Sequence, residues 1–263
     1  MATLDGEPVQ PDELLGLALL NYGHFTSMRC DAEGRVRGLA LHLERLVRDC
    51  RTVWGAELDP ERVRELLRRE LAGQDGPCVV RVTVYDPGLD LGRPAAPARP
   101  RLLLTRRPAG SLTAPPLSVT AVRHDRDLPA VKHVGLFGTL RARREAQTAG
   151  YDDALFVDAE RRVTEGGTWN VGFVRDGEVL WPQADVLPGV TMALLRTHGT
   201  HTHTHTQTPL TLTQAKTMDA AFATNASVGV RALSRIDEAE FATDHPVLDA
   251  LRAAYLGVVG ERP

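Results

Sequence analysis

Lys132 lies in Val131-Lys132-His133-Val134, between a loop of turn residues (Arg126-Asp127-Leu128-Pro129-Ala130) and a helix-like run from Leu136 to Ala149. A lysine amine attacks an aldehyde only in its neutral form, which an apolar or cationic surround makes available. Val131, Val134, Leu136 and Phe137 offer such a surround. Farther along, Glu165 sits in Thr164-Glu165-Gly166-Gly167-Thr168-Trp169-Asn170, which reads as a Gly-rich turn just after a strand. A carboxylate facing a pyridine nitrogen keeps that nitrogen protonated and makes the ring a better electron sink. Leu187-Pro188-Gly189-Val190-Thr191 then opens a helix. Free N–H groups and the helix dipole at such a start favour a phosphate, and Thr191 adds a hydroxyl. A lysine able to form a Schiff base, an acid and an anion-binding helix start are the three parts needed to hold pyridoxal phosphate.

Each part alone is ordinary. Most lysines near a strand end are solvated, an acid in a turn is often a cap, and Pro-Gly opens many helices. The company they keep gives them weight, so the elements that must position them come next.

From Phe25 the chain reads as a strand, with Asp31-Ala32-Glu33-Gly34 as a hairpin turn returning through Val36. Leu39, Leu43, Leu46, Val47, Cys50 and Trp54 fall at helical spacing. Arg45 lies off that stripe, which by spacing alone puts it on a solvated face. Asp59-Pro60 is an N-cap and first-turn pair for a helix that Gly73 closes. Cys78 to Tyr85 is a continuous β-branched run, suited to a strand covered on both faces. Buried inside it, Arg81 must meet an anion or several acceptors, unless it points to an edge or pairs with an acid.

Residues 106–116 (RRPAGSLTAPP) have the composition of an interdomain linker. The expected layout is an N-terminal domain over 1–108, a linker over 109–116 and a C-terminal domain over 117–263. In the second half, Leu117 to Arg123 and Ala154 to Val157 read as strands. Val171 to Trp181 reads as a hairpin turning at Asp176-Gly177. Thr197 to Thr208 (THGTHTHTHTQT) is of low complexity and reads as a mobile surface insertion.

Composition narrows the classes. A chain of 263 residues with 43% hydrophobic content can bury a sizeable core. A net charge of −3 gives no footprint for nucleic acid or an anionic membrane. No apolar run has the length of a spanning helix. The acidic N-terminus lacks a signal-peptide shape. Cys30, Cys50 and Cys78 form no CxxC pair, so reduced thiols in the cytoplasm are expected and no metal site is.

Taken in order, HLERL (His42 to Leu46), VVRVTV (Val79 to Val84), VKHV (Val131 to Val134), AGYDDALFVDAERRVTEGGTWNVGFV, LPGVT and FATNASVGV resemble the class IV aminotransferase family. These are the fold-type IV pyridoxal-phosphate enzymes: branched-chain and D-amino acid aminotransferases and aminodeoxychorismate lyases. The resemblance covers about residues 20 to 235. It implies an α+β fold with a smaller N-terminal α/β sandwich domain and a larger C-terminal pseudo-barrel domain. It implies that Lys132 forms the Schiff base with pyridoxal 5'-phosphate and moves the proton at the substrate α-carbon. Glu165 matches the acid on the pyridine nitrogen. Arg45 matches a phosphate-binding arginine, against its reading from spacing. Val190 and Thr191 match the phosphate-binding helix start, and Asn225 and Ala226 the loop that closes over the phosphate. Arg81 falls where some members hold a substrate carboxylate, and Phe25 and Arg29 are implied as further substrate-binding residues. A homodimer is implied as well.

The chain departs from the family at several positions. Gly135 stands where several lyases and D-amino acid enzymes carry asparagine. Phe137 stands where branched-chain enzymes place a tyrosine, and it cannot donate that hydrogen bond. Met192 replaces the arginine common after LPG-[IV]-T. The expectation is an aminotransferase that moves an amino group between a small amino acid and a 2-oxo acid. The alternatives are a 4-amino-4-deoxychorismate lyase, releasing pyruvate and 4-aminobenzoate, and a non-catalytic cofactor-binding homologue.

Overall fold

A computed structural model describes residues 2–199 and 203–263. The chain divides into two compact units. One comprises Met1–Ala109, Val131–Gly135 and Val259–Pro263; the other comprises Gly110–Ala130 and Leu136–Val258. The segment that carries Lys132 therefore groups with the N-terminal residues.

The first unit runs β1 (Ala2–Leu4), β2 (Glu7–Pro8), α1 (Leu15–Leu20), β3 (His24–Cys30), α2 (Leu39–Trp54), α3 (Pro60–Leu71), β4 (Cys78–Tyr85) and β5 (Arg101–Pro108). Its five strands form one antiparallel sheet in the order β2-β1-β5-β4-β3. The β-branched run of β4 is internal, paired with β5 on one side and β3 on the other. Val80, Val82 and Val84 of β4 meet Leu39, Leu43 and Leu46 of α2 and Leu66 and Leu67 of α3 in one core. Burying each such side chain stabilises the unit by roughly 1.5–3 kcal/mol. Asp59 caps α3 by accepting the Glu61 N–H at 2.9 Å, and Pro60 follows in the first turn.

The second unit runs β6 (Leu117–Arg123), α4 (Phe137–Thr148), β7 (Asp153–Val157), β8 (Val163–Gly166), β9 (Asn170–Arg175), β10 (Glu178–Pro182), α5 (Val190–His198), β11 (His205–Thr208), α6 (Leu212–Ala215), β12 (Ala220–Asn225), β13 (Gly229–Ile236), β14 (Ala239–Glu240) and α7 (Pro246–Gly257). Its strands form a nine-stranded mixed sheet, β11-β10-β9-β12-β13-β6-β7-β8, with β14 on β13. The β9–β10 hairpin turns at Asp176 (φ 50°) and Gly177 (φ 78°). Two successive positive φ angles mark the tight turn expected there, and glycine takes the second at no steric cost.

Two readings change. Glu165 is inside β8, because Gly166 still pairs with Leu155 of β7 and the glycine turn begins after it. The His-Thr tract is no simple surface insertion. Residues 200–202 lie outside the described residues, but His205 to Thr208 run parallel to β10, in register from Val179 to Pro182. The Trp181 indole N–H donates to His205 Nδ1 at 3.2 Å. Alternating threonine is itself a strand pattern, which the repetitive composition conceals.

Cys30, Cys50 and Cys78 are free and buried. Among the described residues no three His, Cys, Asp or Glu converge to hold a metal ion, and no helix is long and apolar enough to cross a membrane.

Candidate active site

Lys132 is fixed through its backbone. Its N–H donates to Asp49 Oδ2 at 3.1 Å, and its carbonyl accepts the Phe25 N–H at 2.8 Å. His133 then bridges to His24, and the Val134 N–H donates to the Gly23 carbonyl at 2.9 Å. The segment is thereby laid along the start of β3. Lys132 is half-buried, with Nζ 5.0 Å from the centre of the Phe25 ring. Of its expected apolar neighbours, Val131 and Val134 are buried, but Phe137 is 80% exposed.

The solvated-face reading of Arg45 is wrong. Arg45 is 6% exposed, and His42 and Asp49 on the same helix are buried with it. At helical spacing these three make a polar stripe beside the leucine stripe of α2. Arg45 Nη2 donates to Thr26 Oγ1 at 2.5 Å, while Arg45 Nε is buried without a hydrogen-bond partner. Burial lowers the guanidinium pKa to about 10, with Asp49 opposing the shift. Burial first, then the charges of Arg45 and Lys132, hold the His42 pKa well below the usual imidazole range. A buried cation with an unused donor is a receptor for an anion.

The other face of β3 and β4 carries Phe25, Ser27, Arg29 and Arg81, since Ser27 is opposite Arg81 and side chains alternate. The Arg81 guanidinium lies 3.5 Å from the centre of the Phe25 ring, and its Nε donates to Thr83 Oγ1 at 3.1 Å. Burial lowers its pKa. The Arg81 strand is internal, and among the described residues no carboxylate forms an ion pair with it.

In the second unit Glu165 is 5% exposed. Its Oε1 accepts from Arg126 Nη1 at 2.7 Å and its Oε2 from the Leu187 N–H at 3.2 Å. Glu165 lines a cavity of about 610 Å³ with His124, Arg126, Thr164 and Gln183. The Arg126 pairing was not visible in the sequence, where the two residues are far apart.

Gly189 is the N-cap of α5 and has no side chain to cap it. Asn170 Nδ2 donates to the Leu187 carbonyl at 2.8 Å, and a Cβ at Gly189 would fall 2.0 Å from Asn170 Oδ1. Only glycine fits so close an approach. Val190 and Thr191 in the first turn are buried, and Thr191 Oγ1 has no hydrogen-bond partner. Thr224 Oγ1 is likewise buried without one, opposite Asn170 in the β12–β9 register. The sequence reading passed over Thr224. Asn225 is committed to its own turn: Oδ1 accepts the Ser227 and Val228 N–H groups at 2.9 and 3.1 Å, and Nδ2 donates to the Thr168 carbonyl at 3.3 Å. It thus shapes the turn that holds Ala226.

The residues fit pyridoxal phosphate by type. The first unit offers an amine on a fixed backbone and a guanidinium with an unused donor. The second offers a buried carboxylate and a helix start with an unused hydroxyl. Unmatched donors of this kind are what a phosphate satisfies.

Comparison with known proteins agrees with this chemistry. A protein of Rickettsia bellii assigned as a branched-chain-amino-acid aminotransferase is 30% identical over 125 residues, 46% of this chain and 43% of the relative. The match thus spans less than half the length of that relative. Among solved structures, the branched-chain aminotransferase of Thermoproteus uzoniensis has a TM-score of 0.85 at 21% identity, covering 97% of this chain and 93% of its own. A Legionella pneumophila protein assigned as a 4-amino-4-deoxychorismate lyase has a TM-score of 0.77 at 24% identity, covering 89% of this chain and 90% of its own. At these identities the likeness establishes the fold, which is the α+β fold implied by the sequence motifs. The sequence profile described as amino-transferase class IV matches residues 23–236, and the chain belongs to that family.

Proposed function

We propose that the protein is a pyridoxal-phosphate-dependent aminotransferase that moves an amino group between a small amino acid and a 2-oxo acid. The observation that carries this reading is Lys132, tied at both its N–H and its carbonyl within a chain that the family profile matches over residues 23–236. When bound, the cofactor supplies an aldehyde and an electron-withdrawing ring. Lys132 Nζ would hold the cofactor through its aldehyde and would move the proton at the substrate α-carbon. Glu165, with Arg126 on one oxygen, would supply the carboxylate that keeps the ring nitrogen protonated. Arg45, and in the second unit the Val190 N–H, Thr191 and the Asn225–Ala226 turn, would hold the phosphate. Phe25, Arg29 and Arg81 hold the substrate, with the acid-free guanidinium of Arg81 facing a carboxylate.

A second reading is the lyase that expels pyruvate and leaves 4-aminobenzoate. It is supported by Phe137 in place of the tyrosine of branched-chain enzymes and by the likeness to the Legionella protein. A panel of amino acids offered with 2-oxoglutarate or pyruvate tests the first reading, and keto-acid exchange is the expected result. Aminobenzoate from aminodeoxychorismate without exchange would replace it with the second. A reconstituted protein with no borohydride-sensitive colour would reject both in favour of a non-catalytic homologue. We also propose a homodimer, to be tested by sedimentation. A cytoplasmic location suits the free thiols of Cys30, Cys50 and Cys78.

A further inference from the structure

We propose that Thr26 and His42 are positioning residues that aim the Arg45 guanidinium at the phosphate. The proposal rests on the reading of Arg45 as a phosphate ligand and adds the device that orients it.

The argument starts from hydrogen-bond direction. A guanidinium only donates, so at 2.5 Å from Arg45 Nη2 the Thr26 hydroxyl oxygen acts as acceptor. Its own hydrogen must then point elsewhere. His42 Nδ1 lies 2.7 Å from the same oxygen. For Thr26 to donate there, Nδ1 must be the bare ring nitrogen, which places the imidazole proton on Nε2. The opposite assignment fails twice. It would leave the Thr26 hydrogen without an acceptor, and it would aim an Nδ1 proton toward Arg45 Nη2, which is 3.4 Å away. Direction therefore runs one way, from Arg45 to Thr26 to His42. The charged groups acting on His42 are the cations of Arg45 and Lys132, and with burial they keep the ring neutral, as this direction requires.

The two partners stand on different rigid elements. Thr26 projects from β3 on the face that packs against α2, and His42 lies one turn before Arg45 on α2 itself. All three are buried. The arrangement uses Nη2 and leaves Nε without a partner inside the protein. Asp49, the acid that acts on Arg45, is already engaged by the Lys132 N–H and by Arg48. A bond made only for packing would have no reason to hold a guanidinium so that one of its donors stays unsatisfied. Such preorganisation is what a binding group needs from its neighbours.

The test compares two ligands on the full chain stripped of cofactor: pyridoxal phosphate, and pyridoxal, which lacks the phosphate. Thr26→Val keeps the volume and removes the hydroxyl. It is expected to weaken pyridoxal phosphate about tenfold while leaving pyridoxal unchanged, and Thr26→Ser is expected to restore wild-type affinity. Equal loss for both ligands would mean a general packing role and overturn the proposal, as would no loss for either. Arg45→Ala is the control for the underlying reading. If it leaves the ratio of the two affinities unchanged, Arg45 is no phosphate ligand. If it collapses the ratio while Thr26→Val does not, only the positioning role falls. A second measurement needs no variant. Nitrogen-15 spectra of the wild-type protein should show His42 as the Nε2–H tautomer, and a protonated Nδ1 would overturn the proposed direction.

Discussion

Asp49 accepts the backbone N–H of Lys132 at 3.1 Å from a carboxylate with no exposed side-chain surface. Helix α2 therefore carries the anchor of the lysine segment on the same stripe as Arg45. The other Asp49 oxygen is held by Arg48 at 2.7 Å. Asp49→Ala would leave a backbone N–H without its acceptor and should destabilise the protein by about 2 kcal/mol. Asp49→Asn keeps an acceptor oxygen and should recover roughly half of that. Urea midpoints for the three proteins check this; a loss below about 0.5 kcal/mol for the alanine variant would mean that the anchor is idle.

Lys132→Ala should abolish turnover and the borohydride-sensitive colour together, while the protein still takes up cofactor through its phosphate. The reason is chemical: alanine leaves no amine to meet the aldehyde or the α-carbon proton. Measurable turnover in the purified variant would remove Lys132 from the mechanism.

Glu165 and Arg126 are both largely buried, with side chains 6% and 13% exposed, and they meet at 2.7 Å. Breaking such a pair from one side costs roughly 3–5 kcal/mol, because the remaining charge loses its buried counter-charge. Glu165→Gln and Arg126→Met should each destabilise strongly, and the double variant should lose less than the sum. A double-mutant cycle is expected to give a coupling of about 1–3 kcal/mol. Additive losses would show that the two charges do not depend on each other.

Much of this was readable from pattern. A continuous β-branched run located β4, and Asp59-Pro60 located the start of α3, because those signals are local. Arg45 shows where local reading stops. A polar stripe at helical spacing looks solvated until the fold reveals what covers it, and here burial overturns the solvated reading. The Arg126–Glu165 pair, the Thr26–Arg45 bond and the hold of Asp49 on Lys132 join residues distant in sequence. Periodicity has no access to such pairs. The strand at His205 was hidden differently, by a repeat whose composition suggested no partner at all.

His24 gives a pH prediction with a definite sign. It is fully buried, both ring nitrogens lack partners, and burial pushes its pKa down to about 4 from the ordinary 6.5. As pH falls below the ordinary value, the unfolded chain takes up a proton that the folded chain refuses. The stability contribution is therefore complete above about pH 6.5 and is lost as pH drops toward 4. The expected loss is about 3 kcal/mol for this residue, and His42 adds to it with the same sign. His24→Phe should remove its share of the difference between urea unfolding at about pH 7 and at about pH 4.5. A variant that keeps the full wild-type difference would exclude His24 as the cause.

Gly189 links the two ends of the second unit's chemistry. Asn170 holds the Leu187 carbonyl, the Leu187 N–H holds Glu165, and Asn170 Oδ1 occupies the space that a side chain at 189 would need. In Gly189→Ala the methyl group would overlap that oxygen at 2.0 Å, so either Asn170 turns away or the start of α5 shifts. The expected result is a destabilisation of about 1–3 kcal/mol, typical of overpacking, with weaker retention of pyridoxal phosphate. Removing the obstacle in the double variant Asn170→Ala/Gly189→Ala should relieve the overlap at the cost of one hydrogen bond, leaving it more stable than Gly189→Ala alone. Thermal unfolding and cofactor titration of the single and double variants decide the point. If the double variant is less stable than Gly189→Ala, the clash is not what makes glycine necessary there.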